Sequence, residues 1–282
     1  MRVAFLGPAG TFTQEALSAS AAEPVEPVPY PTVYETVMAV HEGQVERAVV
    51  PIENSLEGSV AATLDALAGE ASDVRIAAEV VHPIRHCLVA RAKLPLDAVE
   101  RVISHPQATA QCERFLRAEL GLAERASAPS TAEAVRTVAE SDEAWAALGS
   151  RLAAELYGAW VLAEGIEDRP DNETRFVWLA PSGAQPLAGP VRKTSVVFWG
   201  FNDDSPGALV AVLKEFADRG INLTKIESRP RRVRLGHYMF FADLEGSDDD
   251  PAVRAALEGL DDRVETLRVL GSYPAAQATG PD

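Results

Sequence analysis

The ten residues from Pro181 to Pro190 divide the chain into two unlike patterns. Three prolines and two glycines there suit neither a helix nor a paired strand, so residues 181–192 read as a linker. Before it, short apolar runs alternate with segments of helical period. Strands are expected over residues 2–6, 48–52, 77–81, 88–90, 102–104 and 145–148. Helices are expected from about residue 13 and over 60–67, 108–120, 134–139 and 151–157. That alternation predicts an α/β fold with mostly parallel sheets over residues 1–180. The extended stretch near 77–90 and the return near 160–180 look like two crossings between lobes, with a cleft between them. After the linker, residues 193–273 read strand, helix, strand, strand, helix, strand, the ferredoxin-like βαββαβ order. The tail, residues 274–282, is expected to be disordered.

At 282 residues the chain has room for two or three domains, each with its own core. Its hydrophobic share of 47% and charged share of 24% are ordinary for a soluble globular protein. A formal net charge of -16 argues against nucleic acid or an anionic membrane surface as a partner. It also requires local positive groups wherever an anion is to be held. Cys87 and Cys112 have neither metal nor redox spacing, so no disulfide framework is expected and a reducing cytoplasm is the default. The apolar run after Met1 meets Gly7-Pro8 too soon for a signal peptide, and no run approaches the ~20 residues of a membrane span. The expected location is cytoplasmic.

Four loops share one arrangement, in which a strand ends, small polar residues follow and a helix begins. They hold Gly7 to Thr11, Glu53 to Ser55, Ser104 to Gln107, and Gly149-Ser150. In open α/β sheets ligands bind at the carboxyl ends of strands, and helix N-termini offer unpaired N–H groups to anions. These loops could bind carboxylates, although Ser, Thr and Asn also cap helices with no ligand present. Gly7 and Gly10 lack dinucleotide-fingerprint spacing, and no phosphate-binding Gly-Lys-Ser/Thr loop occurs. His82 and His86 have helical zinc-site spacing, but Pro83 opposes a helix there and no metal site is expected. His105 lies in one of the four loops, where capping and catalytic roles are both open. At Thr174-Arg175-Phe176 a hydroxyl and a guanidinium stand where a polar loop enters an apolar strand. That pairing suits holding an anion and directing a proton without covalent chemistry. From the local residues alone, a plain strand start with Arg175 in a surface ion pair is the favoured reading.

Taken together, Gly7 to Phe12, Pro51 to Gly58, Ser104 to Gln107 and Thr174 to Phe176 resemble the motifs of the prephenate dehydratase family, in the family's order. The resemblance covers about residues 1–273, and its last part, on Pro206 to Leu209 and Glu227 to Pro230, resembles an ACT regulatory domain. It implies a two-lobed catalytic domain like a type 2 periplasmic binding protein. The implied activity is a carbon–oxygen lyase that converts prephenate to phenylpyruvate, water and carbon dioxide in phenylalanine biosynthesis, with no cofactor. Thr174 matches the family's essential threonine and is implied in the proton step. Thr11, Asn54, Ser55, Ser104, Gln107, Arg175 and Phe176 are implied substrate contacts. Phenylalanine is implied as allosteric effector, at Gly207, Ala208, Leu209, Asn222, Glu227 and Ser228. Such regulatory domains pair across subunits, so a homodimer or homotetramer is expected. No chorismate mutase helices precede Met1, which points to the monofunctional form. Two other readings stay open: an arogenate dehydratase, acting on an aminated substrate, and a non-catalytic amino-acid sensor.

Overall fold

The structure, a computed structural model, describes residues 1–184, 189, 192–201 and 205–276. The expected linker at 185–188, 190 and 191, and the expected tail beyond 276, lie outside the described residues.

The first lobe opens with β1 (Arg2–Leu6), α1 (Phe12–Ser20), β2 (Glu26–Tyr30), α2 (Val33–His41) and β3 (Arg47–Asn54). It continues through β4 (Gly58–Ser59), α3 (Ala61–Ala68) and β5 (Val74–Pro83). The chain then crosses into a second lobe with β6 (Cys87–Ala90), β7 (Arg101–Ser104), α4 (Pro106–Gln111), α5 (Glu113–Glu119) and β8 (Glu124–Ser127). That lobe is completed by α6 (Thr131–Ala139), β9 (Trp145–Gly149), α7 (Arg151–Leu156) and β10 (Trp160–Glu164). The chain returns as β11 (Glu173–Pro181), which inserts antiparallel between β3 and β5 in the first-lobe sheet, order β2-β1-β3-β11-β5. The second sheet runs β10-β6-β9-β7-β8.

Val3, Ala4 and Phe5 of β1 are all buried, the unbroken apolar run that a strand covered on both faces requires. The sequence reading missed β2, α2 and β8. Pro27 and Pro29 obscure β2, and the strand sits at the sheet edge, where a missing N–H breaks no ladder. The single helix expected over 108–120 is broken at Cys112 into α4 and α5. The returning crossing causes the break: the Asp168 N–H donates to the Gln111 carbonyl at 2.7 Å, and its carboxylate accepts from the Arg114 N–H at 3.0 Å.

The C-terminal domain is β12 (Arg192–Trp199), α8 (Ala208–Ala217), β13 (Leu223–Pro230), β14 (Tyr238–Glu245), α9 (Pro251–Asp261) and β15 (Thr266–Pro274). Its four strands form an antiparallel sheet of order β13-β14-β12-β15. Strand alternation splits the side chains. Val196, Phe198 and Leu244 pack with α8 and α9, while Val197, Phe241 and Tyr273 share one core with Leu67, Ile76 and Leu179 of the first lobe. Gly271 permits that docking, since a Cβ there would stand 2.2 Å from the Ile76 carbonyl oxygen. The two-lobed α/β unit and the βαββαβ unit are thus both present, but the lobe sheets are mixed rather than mostly parallel, because β11 and β6 each run antiparallel to both neighbours. Among the described residues no helix is long and apolar enough to cross a membrane.

Candidate active site

The chain crosses between the lobes at residues 84–86 and 165–172, and a cavity of about 390 Å³ opens between them. Gly7, Thr11 and Phe12 line it from the β1–α1 loop, Asn54 from the end of β3, and Thr174 and Phe176 from β11. The second lobe contributes His105, Gln107 and Gln111 around α4, and Ser130 and Thr131 at the start of α6. Ile84, His86 and Asn172 line the floor near the crossings. Among the described residues, none that lines it is a lysine, arginine, aspartate or glutamate. An anion here must be held by neutral donors and by the first-turn N–H groups of α1 and α6, which a helix cannot satisfy internally.

The polar wall has a fixed direction. Asn54 Oδ1 accepts from the backbone N–H groups of Leu56 and Glu57, each at 3.0 Å, so its amide nitrogen must face the other way. That nitrogen donates to Thr174 Oγ1 at 2.8 Å and to Asn172 Oδ1 at 2.9 Å. Asn172 then donates from Nδ2 to Gln111 Oε1 at 3.0 Å, which fixes the Gln111 amide as well. His86 Nε2 lies 3.2 Å from the same Gln111 oxygen and must be its donor. His86 is therefore the neutral Nε2–H tautomer, and its buried Nδ1 has no partner. Burial pushes the His86 pKa below the ordinary imidazole value. With Asn54 occupying the Thr174 oxygen from behind, the Thr174 O–H is left to donate into the cavity. The Gln111 NH₂ group is left facing the same space.

The lobes meet at a second set of contacts beside the cavity. Ser150 Oγ donates to the Gly10 carbonyl at 2.7 Å, and Tyr157 OH to the Ala9 carbonyl at 2.9 Å. Glu15 Oε1 accepts from the Leu152 N–H at 3.1 Å, so an acid of α1 caps α7 across the gap. Gly10 has φ 86°, and a Cβ there would stand 2.9 Å from Ala153 Cα.

The structure brings Thr11, Asn54, Gln107, Thr174 and Phe176 together on the cavity wall. Three other expected contacts do not line it. Ser55 bonds the Glu173 N–H at 3.0 Å at the rim, and buried Ser104 donates to the Leu148 carbonyl at 2.9 Å inside the second lobe. Arg175 is the main correction: adjacent strand residues point to opposite faces, so its side chain is directed to the C-terminal sheet. There it meets Asp243 at 2.7 Å, Glu79 at 3.0 Å and Glu53 at 3.1 Å. Burial works against its charge, but Asp243, Tyr273, Glu79 and Glu53 outweigh it and raise its pKa further. Of the expected effector residues, Gly207, Ala208 and Leu209 line a cavity of about 300 Å³. Asn222, Glu227 and Ser228 do not line it, and Glu227 faces Lys225 and Arg229 instead.

His86, Gln111, Asn172, Ser130 and Thr131 were not expected at the cavity. Gln111 lies one helical turn beyond Gln107, a signal that was available in the sequence. Ser130 and Thr131 follow the overlooked β8 in the same strand–loop–helix arrangement as the other loops. The spacing of His86 from His82 gave no pointer to the cavity. Burial raises the thiol pKa of Cys87 to about 11 and also raises that of Cys112, so both are inert packing groups.

A family model for prephenate dehydratase matches residues 3–184, and one for the ACT domain matches residues 201–262. A prephenate dehydratase of Mycobacterium leprae (strain Br4923) is 41% identical over 289 residues, spanning 99% of this chain and 88% of that protein. The crystal structure of a prephenate dehydratase in complex with L-Phe, from Arthrobacter aurescens, superposes with a TM-score of 0.89 at 39% identity. That match covers 100% of this chain and 92% of the other. A structure of GqqA, described as a novel type of quorum quenching acylase, matches with a TM-score of 0.87 at 33% identity over 98% of each chain.

Proposed function

The chain belongs to the prephenate dehydratase family, and we propose that it converts prephenate to phenylpyruvate, water and carbon dioxide in the cavity between its lobes. The observation that carries this reading is the Thr174 hydroxyl on the cavity wall, its oxygen held by Asn54 so that its O–H is left to donate into the cavity. The substrate dianion takes up one proton. The ring C–O bond breaks as the hydroxyl gains that proton and leaves as water. The bond to the ring carboxylate breaks as carbon dioxide departs, and its electron pair enters the ring, which becomes aromatic.

An alcohol is a poor acid near neutral pH, and a chain of amides cannot pass a proton onward. Thr174 therefore acts as a hydrogen-bond donor to the departing oxygen rather than as the acid that gives up the proton. The Asn54 N–H on its oxygen polarises the O–H and strengthens that donation. The first turns of α1 and α6, with Gln107 and Gln111, supply donors for the two carboxylates. A wall without cations does not lock the ring carboxylate as an anion, which favours charge dispersal as it leaves.

Phenylalanine acts as effector on the C-terminal domain, with the cavity at Gly207, Ala208 and Leu209 as one half of its site. Asn222, Glu227 and Ser228 would complete that site only from a second subunit, which agrees with at least a homodimer. Val210, Ile226, Val233, Leu235 and Tyr238 form an exposed apolar set on this domain that suits such pairing. Acyl transfer of the kind named for GqqA finds less support. Thr174, Thr11 and Ser130 are hydrogen-bonded to an amide, a carbonyl and a backbone N–H, with no histidine base on them.

Phenylpyruvate formation from prephenate, with and without phenylalanine, tests both domains at once, and arogenate in parallel tests the aminated alternative. Thr174→Ala should lower kcat by roughly 10²- to 10³-fold, as for the loss of one preorganised donor. Near-normal turnover by that variant, folded, would sink the assignment.

A further inference from the structure

We propose that Arg175 is a positioning residue through which the C-terminal domain sets the geometry of Thr174 and Asn54, with Asp243 as its partner across the domain boundary. The proposal rests on the dehydratase reading above and concerns how that site is controlled. Arg175 shares a peptide bond with Thr174, yet its side chain lies behind the cavity wall. Its guanidinium is one-ninth exposed and reaches Glu53 on β3, Glu79 on β5 and Asp243 on β14. Glu53 in turn shares a peptide bond with Asn54, and Arg175 and Glu53 are cross-strand partners, as are Thr174 and Asn54. The ion pair therefore grips, from the rear, both residues that form the Asn54–Thr174 hydrogen bond.

The far end of the grip belongs to the C-terminal domain. Asp243 Oδ1 accepts from Ser195 Oγ at 2.6 Å, and Ser195 bonds Tyr273 OH at 2.6 Å, so Asp243 is anchored in its own sheet. A second tie runs in parallel: Lys225 donates to Ser59 at 2.6 Å and lies 3.4 Å from Glu53 and 3.6 Å from Glu227. Lys193, at 2.7 Å, holds the remaining oxygen of Glu79. A buried guanidinium cannot be left without its acids, so a shift of the C-terminal sheet must either carry Arg175 with it or be resisted by it. The hold is not fully satisfied in this state. Arg175 Nε and Nη2 are buried without a hydrogen bond, Nη2 being close to Glu53 but misaligned. These unpaired donors could take new partners if the C-terminal sheet moved, which is what a coupling element requires.

The test uses the full chain. Asp243→Asn keeps the shape and removes the charge, and with its oxygen still on Ser195 it turns an NH₂ group toward Arg175, which breaks the tie. It should keep measurable, though lower, prephenate turnover and still bind phenylalanine by calorimetry, while half-inhibition needs at least about fivefold more phenylalanine, the low end of ordinary coupling. Arg175→Lys should lower kcat with little change in KM, because it acts through Thr174 rather than on substrate. Should Asp243→Asn not fold, Ser195→Ala, which frees Asp243 from its anchor, carries the same expectation for inhibition. Unaltered inhibition in the folded Asp243 or Ser195 variant, or a rise in KM alone for Arg175→Lys, overturns the proposal. Absence of prephenate turnover in the unmodified protein would overturn the dehydratase reading itself.

Discussion

Thr174 Oγ1 and Asn54 Nδ2 stand 2.8 Å apart, in a bond whose direction is set from outside the cavity. The backbone N–H groups of Leu56 and Glu57 fix Asn54, Asn54 fixes Thr174 and Asn172, and Asn172 with His86 fixes Gln111. The Thr174 O–H and the Gln111 NH₂ group are left as donors toward the cavity. The wall is preorganised for negative charge before substrate arrives, which is where such donors contribute most to catalysis.

Asn54→Asp tests the direction of that bond. The carboxylate can still accept from Leu56 and Glu57, but its second oxygen would face the Thr174, Asn172 and Glu173 oxygens that the amide nitrogen now serves. Thr174 would turn its O–H back onto the aspartate and withdraw it from the cavity. The expected result is a fall in kcat of roughly 10²-fold, with a stability loss of about 1–3 kcal/mol. Steady-state kinetics and denaturant melts check the two parts separately.

Gln111 is the donor the sequence reading passed over, and its loss should register mainly in substrate binding. Gln111→Met removes one donor to an anion, worth about 1.5–3 kcal/mol, or roughly 10- to 100-fold in kcat/KM. Gln111→Glu should be worse than Met, because His86 and Asn172 would still hold one oxygen and leave the other, charged, facing the substrate. Equal or better kinetics for Glu would contradict the assignment of a donor-only wall.

The architecture was legible because each unit has its own period and a proline- and glycine-rich stretch stands between them in the sequence. Asn54, Thr11 and Gln107 were legible as well, since strand-end loops place small polar groups where helices begin. Arg175 shows the limit. Period-two alternation already says that Thr174 and Arg175 face opposite ways. Sequence does not say which face borders the cavity, nor that a second domain covers the other. Ser104 failed for a related reason: the last residue of β7 faces β9, not the loop that follows. The only local signal at His86 was its spacing from His82, and nothing pointed to the cavity, since its partner Gln111 comes from another element across the crossing.

His86 should give the folded protein an acid sensitivity of predictable sign. Its folded-state pKa is depressed by burial, while the unfolded chain titrates near 6.5. Below about pH 6.5 the unfolded state therefore binds a proton that the folded state refuses, and stability falls as pH falls. The slope from this group cannot exceed about 1.4 kcal/mol per pH unit, one proton's worth. In His86→Gln, whose amide can still donate to Gln111, that component is absent. The stability difference between variant and parent should move in the variant's favour as pH drops from neutrality. A difference that stays flat in denaturant melts across that range would show that His86 is protonated without penalty.

Gly10→Ala addresses the contact between lobes. At φ 86° an alanine costs about 1–2 kcal/mol, and its Cβ would meet Ala153 on the opposite lobe at 2.9 Å. The methyl group acts as a wedge at the seam where Ser150 and Tyr157 bond the Gly10 and Ala9 carbonyls. Pushing that seam apart moves Gln107, Gln111 and Ser130 of the second lobe away from Thr174 of the first. The expected outcome is a lower Tm together with a raised KM, since substrate must now close the lobes against the wedge. Ser150→Ala provides the control, because it removes one bond across the seam without adding bulk and should shift KM less. If Gly10→Ala lowers Tm but leaves KM at the parent value, the seam serves stability alone and the lobes close by another route.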